Sequence, residues 1–272
     1  MNDKLGWVIP IPLFLFFGAA WIFVQTENEA RVQIGRAQRQ WRADNYREAA
    51  ELYESVYQNY PKSQYADDAL WEVGNIYYVN FYDVDRALIS FHKLVTEYPD
   101  SPLVSESYLK LAQIHEVELG DLPKAIACWN QLLSLGLPRE QRRQIRFYIG
   151  NAHFQLSQFE KALGDFEFLM NAGPVDDITD QARARAGTIM QIQNRYEESV
   201  EYFSEVLEKT NCFDCRRTAR LGLIESYEFL GELSRAMEVA QTIPKSEIST
   251  QVKEDLLRRL GEKAKYYNPG GE

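Results

Sequence analysis

Only one stretch of the 272-residue chain sets reactive side chains close together, Cys212-Phe213-Asp214-Cys215. Two cysteines three apart where a helix begins can close a disulfide or, when reduced, present a thiolate favoured by the helix N-terminal dipole. Three readings stay open: a thiol redox pair, a disulfide that closes a short connection, and two small apolar residues with no chemistry. The βαβ setting that a redox pair of this spacing occupies is missing, and a metal site would need two more ligands that the sequence does not supply. The remaining cysteine, Cys128, precedes Trp129 inside a helical segment and reads as packing. Three cysteines are too few for a fold built on disulfides.

Histidine offers no more. His115 and His153 fall at the same place in two successive repeats, where the repeat before them carries Tyr77, so they read as packing positions; His92 has no partner ligand at helical spacing. No phosphate-cradling glycine loop, zinc-protease helix or nucleophile elbow occurs. The many Glu and Asp residues read as solvated helix faces. A formal net charge of −10, a pI near 5.0 and the lack of any Lys/Arg run speak against a nucleic-acid partner. We therefore expect no enzyme, no cofactor, no metal ion and no small-molecule substrate, which leaves binding.

The elements that would present a binding surface are set by a repeat. Tyr46, Ala49 and Tyr53 recur as Val84, Ala87, Phe91; Leu122, Ala125, Trp129; Phe159, Ala162, Phe166; Tyr196, Ser199, Phe203; and, with the aromatic lost, Leu233, Ala236, Ala240. The small residue returns after 38, 38, 37, 37 and 37 positions. Spacings of three and four place the marks on one helix face, and a fixed period signals stacked units. Twelve or thirteen residues upstream lies a second small mark, Ala37, Gly74, Ala112, Gly150 and Gly187, with Ile224 in the sixth unit. Two helices crossing closely need minimal side chains at the crossing, so each unit reads as a helical hairpin. Its turns are polar or glycine-containing: Asp44-Asn45, Asp83, Gly120-Asp121, Ser157-Gln158, Asn194-Arg195 and Gly231-Glu232. Pro61, Pro99 and Pro174 close second helices, and Ser101-Pro102 is expected to open the next helix as N-cap and first turn.

This pattern resembles the tetratricopeptide repeat family, over roughly Arg31 to Pro244 and six units. The stretches Asn59 to Tyr78 and Glu97 to His115 are similar to junctions in bacterial envelope members of that family, the Bam-complex assembly lipoprotein and the Tol-Pal-associated repeat protein. The resemblance implies an all-α, right-handed α-solenoid of about six helix pairs whose first helices line the concave face, and a scaffold that binds protein partners in the cell envelope. On that face the stripe next to the packing stripe runs Ile34, Gln38, Trp41; Trp71, Asn75, Tyr78; Leu109, Gln113, Glu116; Phe147, Asn151, Phe154. An amide in the middle of four consecutive units can bond an extended backbone while the aromatics take side chains. The groove is thus expected from Gln38, Trp41, Trp71, Asn75, Tyr78, Leu109, Gln113, Phe147, Asn151 and Phe154. The competing reading packs these side chains between neighbouring first helices. Thr188 and Glu225 end the amide row, and Trp71, Leu109 and Phe147 stand where a clamp for acidic chaperone tails would carry Lys or Arg.

Leu5 to Val24 is twenty residues without a charge, about the length that crosses a ~30 Å hydrocarbon layer. It is read as an uncleaved transmembrane anchor within residues 1–26, with a cleaved signal peptide ending near Gly18-Ala19-Ala20 as the rival. No Cys is available there for a lipid anchor. Arg31, Arg36, Arg39 and Arg42 favour cytoplasmic repeats by the positive-inside rule, whereas the envelope resemblance implies periplasmic ones, and the latter is the expectation, with the protein in the inner membrane. The solenoid is expected over 27–244, a capping helix over 245–267 carrying Val252, Leu256, Leu257 and Leu260, and a disordered tail over 268–272.

Overall fold

The computed structural model describes residues 11–174 and 176–267. Among them the secondary structure is helical, in antiparallel pairs, and the chain divides into two compact units, Met1–Leu135 and Gly136–Glu272. In the first unit α1 (Ile11–Arg42) pairs with α2 (Tyr46–Asn59), α3 (Ala66–Asn75) with α4 (Val84–Glu97), and α5 (Val104–Gln113) with α6 (Leu122–Ser134). In the second, α7 (Arg139–Gln155) pairs with α8 (Phe159–Ala172), α9 (Asp177–Ile192) with α10 (Tyr196–Lys209), and α11 (Phe213–Phe229) with α12 (Leu233–Thr242). Helix α13 (Thr250–Tyr267) then packs on α12.

Each hairpin crosses on its small marks. Ala37, Ala49, Ala87, Ala112, Ala125 and Ala162 are all fully buried. A Cβ added at Gly74 would stand 2.7 Å from the Phe91 ring, at Gly150 2.7 Å from Phe166, and at Gly187 2.9 Å from Phe203. The aromatic of the second helix therefore lies on the bare backbone of the first, and any side chain there would have to displace it. The sixth hairpin reverses the sizes: Ile224 takes the glycine's place and Ala240 the aromatic's, in one buried cluster with Leu233, Ala236 and Leu260. Volume at the crossing is conserved although its donors are exchanged.

The two 38-residue intervals have a local cause. After α3 and α5 the chain continues through a π-helical turn, Ile76–Asn80 and Ile114–Glu118, which holds one residue more than α-helical geometry would. The closing bond of the hairpin turn shows the same surplus. It spans five residues in Asn45 to Gln40, Gln158 to His153, Arg195 to Met190 and Glu232 to Tyr227, but six in Asp83 to Tyr77 and Asp121 to His115. Every hairpin turn contains one left-handed residue, at Asp44, Tyr82, Gly120, Ser157, Asn194 and Gly231. In the second hairpin that residue is Tyr82, and the expected turn residue Asp83 follows it as the N-cap and accepts from the Arg86 amide. Ser101 sits further out than expected. Its hydroxyl accepts from the Leu103 amide in a turn ahead of α5, which begins at Val104.

The membrane reading is corrected. No helix among the described residues is long and apolar enough to cross a membrane, which contradicts a single-pass inner-membrane protein with periplasmic repeats. Residues 5–10 of the expected anchor, like the tail 268–272, lie outside the described residues. From Glu27 onward α1 belongs to the first hairpin: Ala30 is fully buried, Glu27 accepts from Ser63 and Glu29 from Tyr60. The solvated reading of the acidic residues also fails at Asp165, Asp180 and Glu247, which are buried and paired with Arg146, Arg183 and Arg220.

Two glycine substitutions separate backbone conformation from packing, because a Cβ at either Gly120 or Gly164 meets nothing within 4 Å. Gly120, at φ +61°, is expected to lose about 1 kcal/mol as Gly120→Ala, whereas Gly164→Ala inside α8 gains about 0.5–1 kcal/mol, both measured by urea unfolding.

Candidate partner-binding site

In the first unit the expected stripe is divided between packing and solvent. The Trp71 ring lies 5.3 Å from Phe91, so this indole covers its own hairpin's core aromatic. Asn75 is half-buried, while Gln38, Trp41, Leu109 and Gln113 are exposed. Tyr78 donates to Glu118 at 3.0 Å, tying the two π-helical turns together, and Lys110 lies over its ring. His115 is buried 6.3 Å from His92, and burial, aided by Lys124, lowers its pKa, so the ring is neutral and acts as packing. His153 in the second unit is different: its Nδ1 is 2.9 Å from Asp165, which also binds Arg146.

In the second unit the stripe becomes a concavity. Phe147 and Asn151 of α7 face Gln181, Ala184, Arg185 and Thr188 of α9 and Asp214, Cys215 and Thr218 of α11, with Cys212 at the edge, around a cavity of about 330 Å³. Helix α9 packs directly against both α7 and α11, so three first helices form its wall. Phe147 is almost buried, its ring 6.0 Å from Phe166, and gives an apolar floor. The Oδ1 of Asn151 is buried and has no hydrogen-bond partner among the described residues. A buried acceptor left unpaired costs about 1–3 kcal/mol, recovered if the Asn151 side chain, which lines the cavity, turns to meet a donated N–H. Phe154, one turn further on, packs on Phe159 and under the Arg185 guanidinium. Gln181, Arg185 and Thr218 were not expected here. Thr188 and Glu225 carry the stripe into α9 and α11, and stepping back three to seven residues along each helix reaches all three.

The cysteine pair is part of the lining of this cavity. The structure joins Cys212 to Cys215 in a disulfide with Cα atoms 5.2 Å apart. Cys212 is the N-cap of α11, held by a bond from its amide to Thr210 Oγ1, and its sulfur accepts from the Cys215 amide. Cys212 is half-buried and Cys215 buried. Cys128 is a buried free thiol, and burial raises its pKa. Among the described residues, no three His, Cys, Asp or Glu side chains gather to hold a metal ion.

The wall is braced by a buried clamp with no signal in the repeat pattern. Arg143, at the start of α7, makes two hydrogen bonds to Asp176, the N-cap of α9, and a third to Thr179 Oγ1 at 2.9 Å. Asp176 in turn accepts from the Thr179 amide, and Thr179 donates to the Pro174 carbonyl. These bonds tie the N-terminus of α9 to the start of α7, two of the helices that wall the cavity. The Arg143 hydrogen bond foremost, helped by Thr179 and opposed by burial, holds the Asp176 carboxyl down at about 2. Its folded pKa is below the ordinary 3.8, so its contribution is complete above 3.8 and lost as pH falls through about 2. Melting temperatures should therefore differ by a constant amount between the natural chain and Asp176→Asn above about pH 5, and the difference should shrink steadily below about pH 4.

Comparison with known proteins follows this geometry. A family model described as "Tetratricopeptide repeat" matches residues 34–102 and 114–167 and supports that family; α9 to α12 lie beyond the match and continue the same hairpin form. No curated protein matches the sequence. Among solved structures, a tetratricopeptide repeat protein from Parabacteroides merdae shares 17% identity, covering 89% of this chain and 93% of its own, with a TM-score of 0.52. PilW, described as a type IV pilus biogenesis factor, shares 16% identity over 85% and 97%, with a TM-score of 0.50. The Naa15/Naa10 structure bound to HypK-THB shares 14% identity over 86% of this chain but 39% of that one, with a TM-score of 0.57. At these identities the likeness is one of fold.

Proposed function

We propose that the protein is a non-catalytic scaffold that holds a protein partner by seating an extended segment of it in the α7/α9/α11 cavity. The observation that carries this reading is the unpaired Asn151 Oδ1 beside the apolar floor of Phe147. An extended peptide supplies what the site lacks, a backbone N–H for the amide and a side chain for the floor, while Gln181, Arg185 and Thr218 offer further polar contacts at the rim. Nothing in the arrangement requires a small molecule. The tetratricopeptide fold supports the same reading, since stacked hairpins present the long surface that protein partners use. The junctions at Asn59 to Tyr78 and Glu97 to His115 extend the proposal to assembly or secretion machinery of the bacterial cell envelope.

Site-specific photo-cross-linking tests the proposal. A benzoylphenylalanine at Gln181 or Thr218 should capture a defined partner chain from cells, whereas one at Glu201, on an exposed face of α10, should not. Asn151→Ala, with helicity retained, should weaken the partner's binding about tenfold, the worth of one buried hydrogen bond. Equal capture from Glu201, or binding indifferent to Asn151→Ala, would overturn it.

A further inference from the structure

We propose that the Cys212–Cys215 disulfide is a thiol-capture site, at which a cysteine of the segment seated in the α7/α9/α11 cavity forms a mixed disulfide with Cys212. The inference deepens the scaffold reading and rests on it, adding that the partner's segment carries a cysteine.

Four observations converge. The disulfide borders the same cavity as Phe147, Asn151 and Arg185, so a peptide held there lies against its sulfurs. The two residues are unequally accessible: Cys212 is half-buried, whereas Cys215 is 2% exposed, which favours attack at Cys212. The bond spans a sequence separation of three and hence closes a very short loop, where cross-linking restrains the unfolded chain least. A disulfide placed there for stability alone gains little. Finally, Cys215 sits in the first turn of the 17-residue α11, where backbone N–H groups have no carbonyl partner within the helix and favour negative charge. Cys215 also packs in an apolar cluster with Ala184, Phe203, Ala219 and Leu223, which opposes a thiolate and favours return to the closed disulfide, so the helix N-terminus alone offsets the charge on the leaving sulfur.

The exchange balances without any further oxidant. The partner's thiolate attacks Cys212 Sγ; the Cys212–Cys215 bond breaks as the new sulfur–sulfur bond forms, and the electron pair of the broken bond leaves on Cys215 Sγ. One disulfide and one thiolate enter, and one of each remains. The Cys215 thiolate is then held beside the mixed disulfide and can attack Cys212 Sγ in return, releasing the partner. Capture is thus reversible, with a lifetime set by how firmly the cavity holds the segment.

The test uses the full chain in its disulfide form and two pools of undecapeptides with randomised flanks, one with a central cysteine and one with a central serine. Acid quenching, alkylation and mass spectrometry locate the adduct. The expected result is a mixed disulfide on Cys212, with Cys215 alkylated, formed at least about tenfold faster from the cysteine pool than from free cysteine at equal thiol concentration. Asn151→Ala should erase most of that advantage. Selective retention of serine peptides without any rate advantage for the cysteine pool, or an adduct on Cys215, overturns thiol capture and leaves the scaffold reading intact. If neither pool is retained and no rate advantage appears, both readings fall.

Discussion

A ring lying on a bare backbone is the contact on which the rest of this structure depends. At three hairpin crossings the second helix places a phenylalanine against a glycine of the first, and no Cβ fits between them. Such a contact brings two helix axes close without strain and buries an aromatic side chain completely, as for Phe91, Phe166 and Phe203. Phe203 shows how the contact propagates within the second unit. It lies against Gly187 of its own hairpin, and a Cβ at Gly222 of the next first helix would stand 2.2 Å from the same ring. One aromatic thereby fixes three helices, two of which, α9 and α11, wall the cavity.

Once the crossings are fixed, what varies lies at the ends of the hairpins. Two first helices take up an extra residue as a π-helical turn without disturbing the crossing before it or the N-cap after it. The junction between α8 and α9 replaces packing by charge, with Arg143 bonded to Asp176 and Thr179. The junction between α10 and α11 carries the disulfide. Each variation falls where backbone groups would otherwise lack partners, so the repeat tolerates it and the surface acquires features that a uniform stack would not have.

The fold was legible because its determinant is a matter of residue size at fixed spacing, and Ala49, Ala87, Ala125 and Ala162 display that spacing openly. Register was less so. The 38-residue intervals are visible in the chain, but whether the extra residue enters a loop or a π-helical turn depends on hydrogen bonding that side chains do not report, and Tyr82 gives no hint of its left-handed backbone. The Arg143–Asp176 clamp joins residues 33 apart with no periodic signal. Of the residues that line the α7/α9/α11 cavity, Phe147 and Asn151 stand on the amide stripe, whereas Gln181, Arg185 and Thr218 lie on continuations of it that change chemistry. The anchor reading fails because no helix among the described residues is long and apolar enough to cross a membrane. From Glu27 onward α1 bonds to the first junction, so that part of it is helix of the repeat domain.

Because the sixth hairpin carries Ile224 and Ala240 where the fourth carries Gly150 and Phe166, the chain itself suggests the decisive measurement: a double-mutant cycle in urea unfolding with Gly150→Ile, Phe166→Ala and the pair together. If size complementarity at the crossing holds the hairpin, each single change costs several kcal/mol, on the order of 3–5 for Phe166→Ala, and the double variant is more stable than the sum of the two losses by about 1–3 kcal/mol. Losses that simply add would contradict the account, since the two positions would then be stabilising the fold independently of one another.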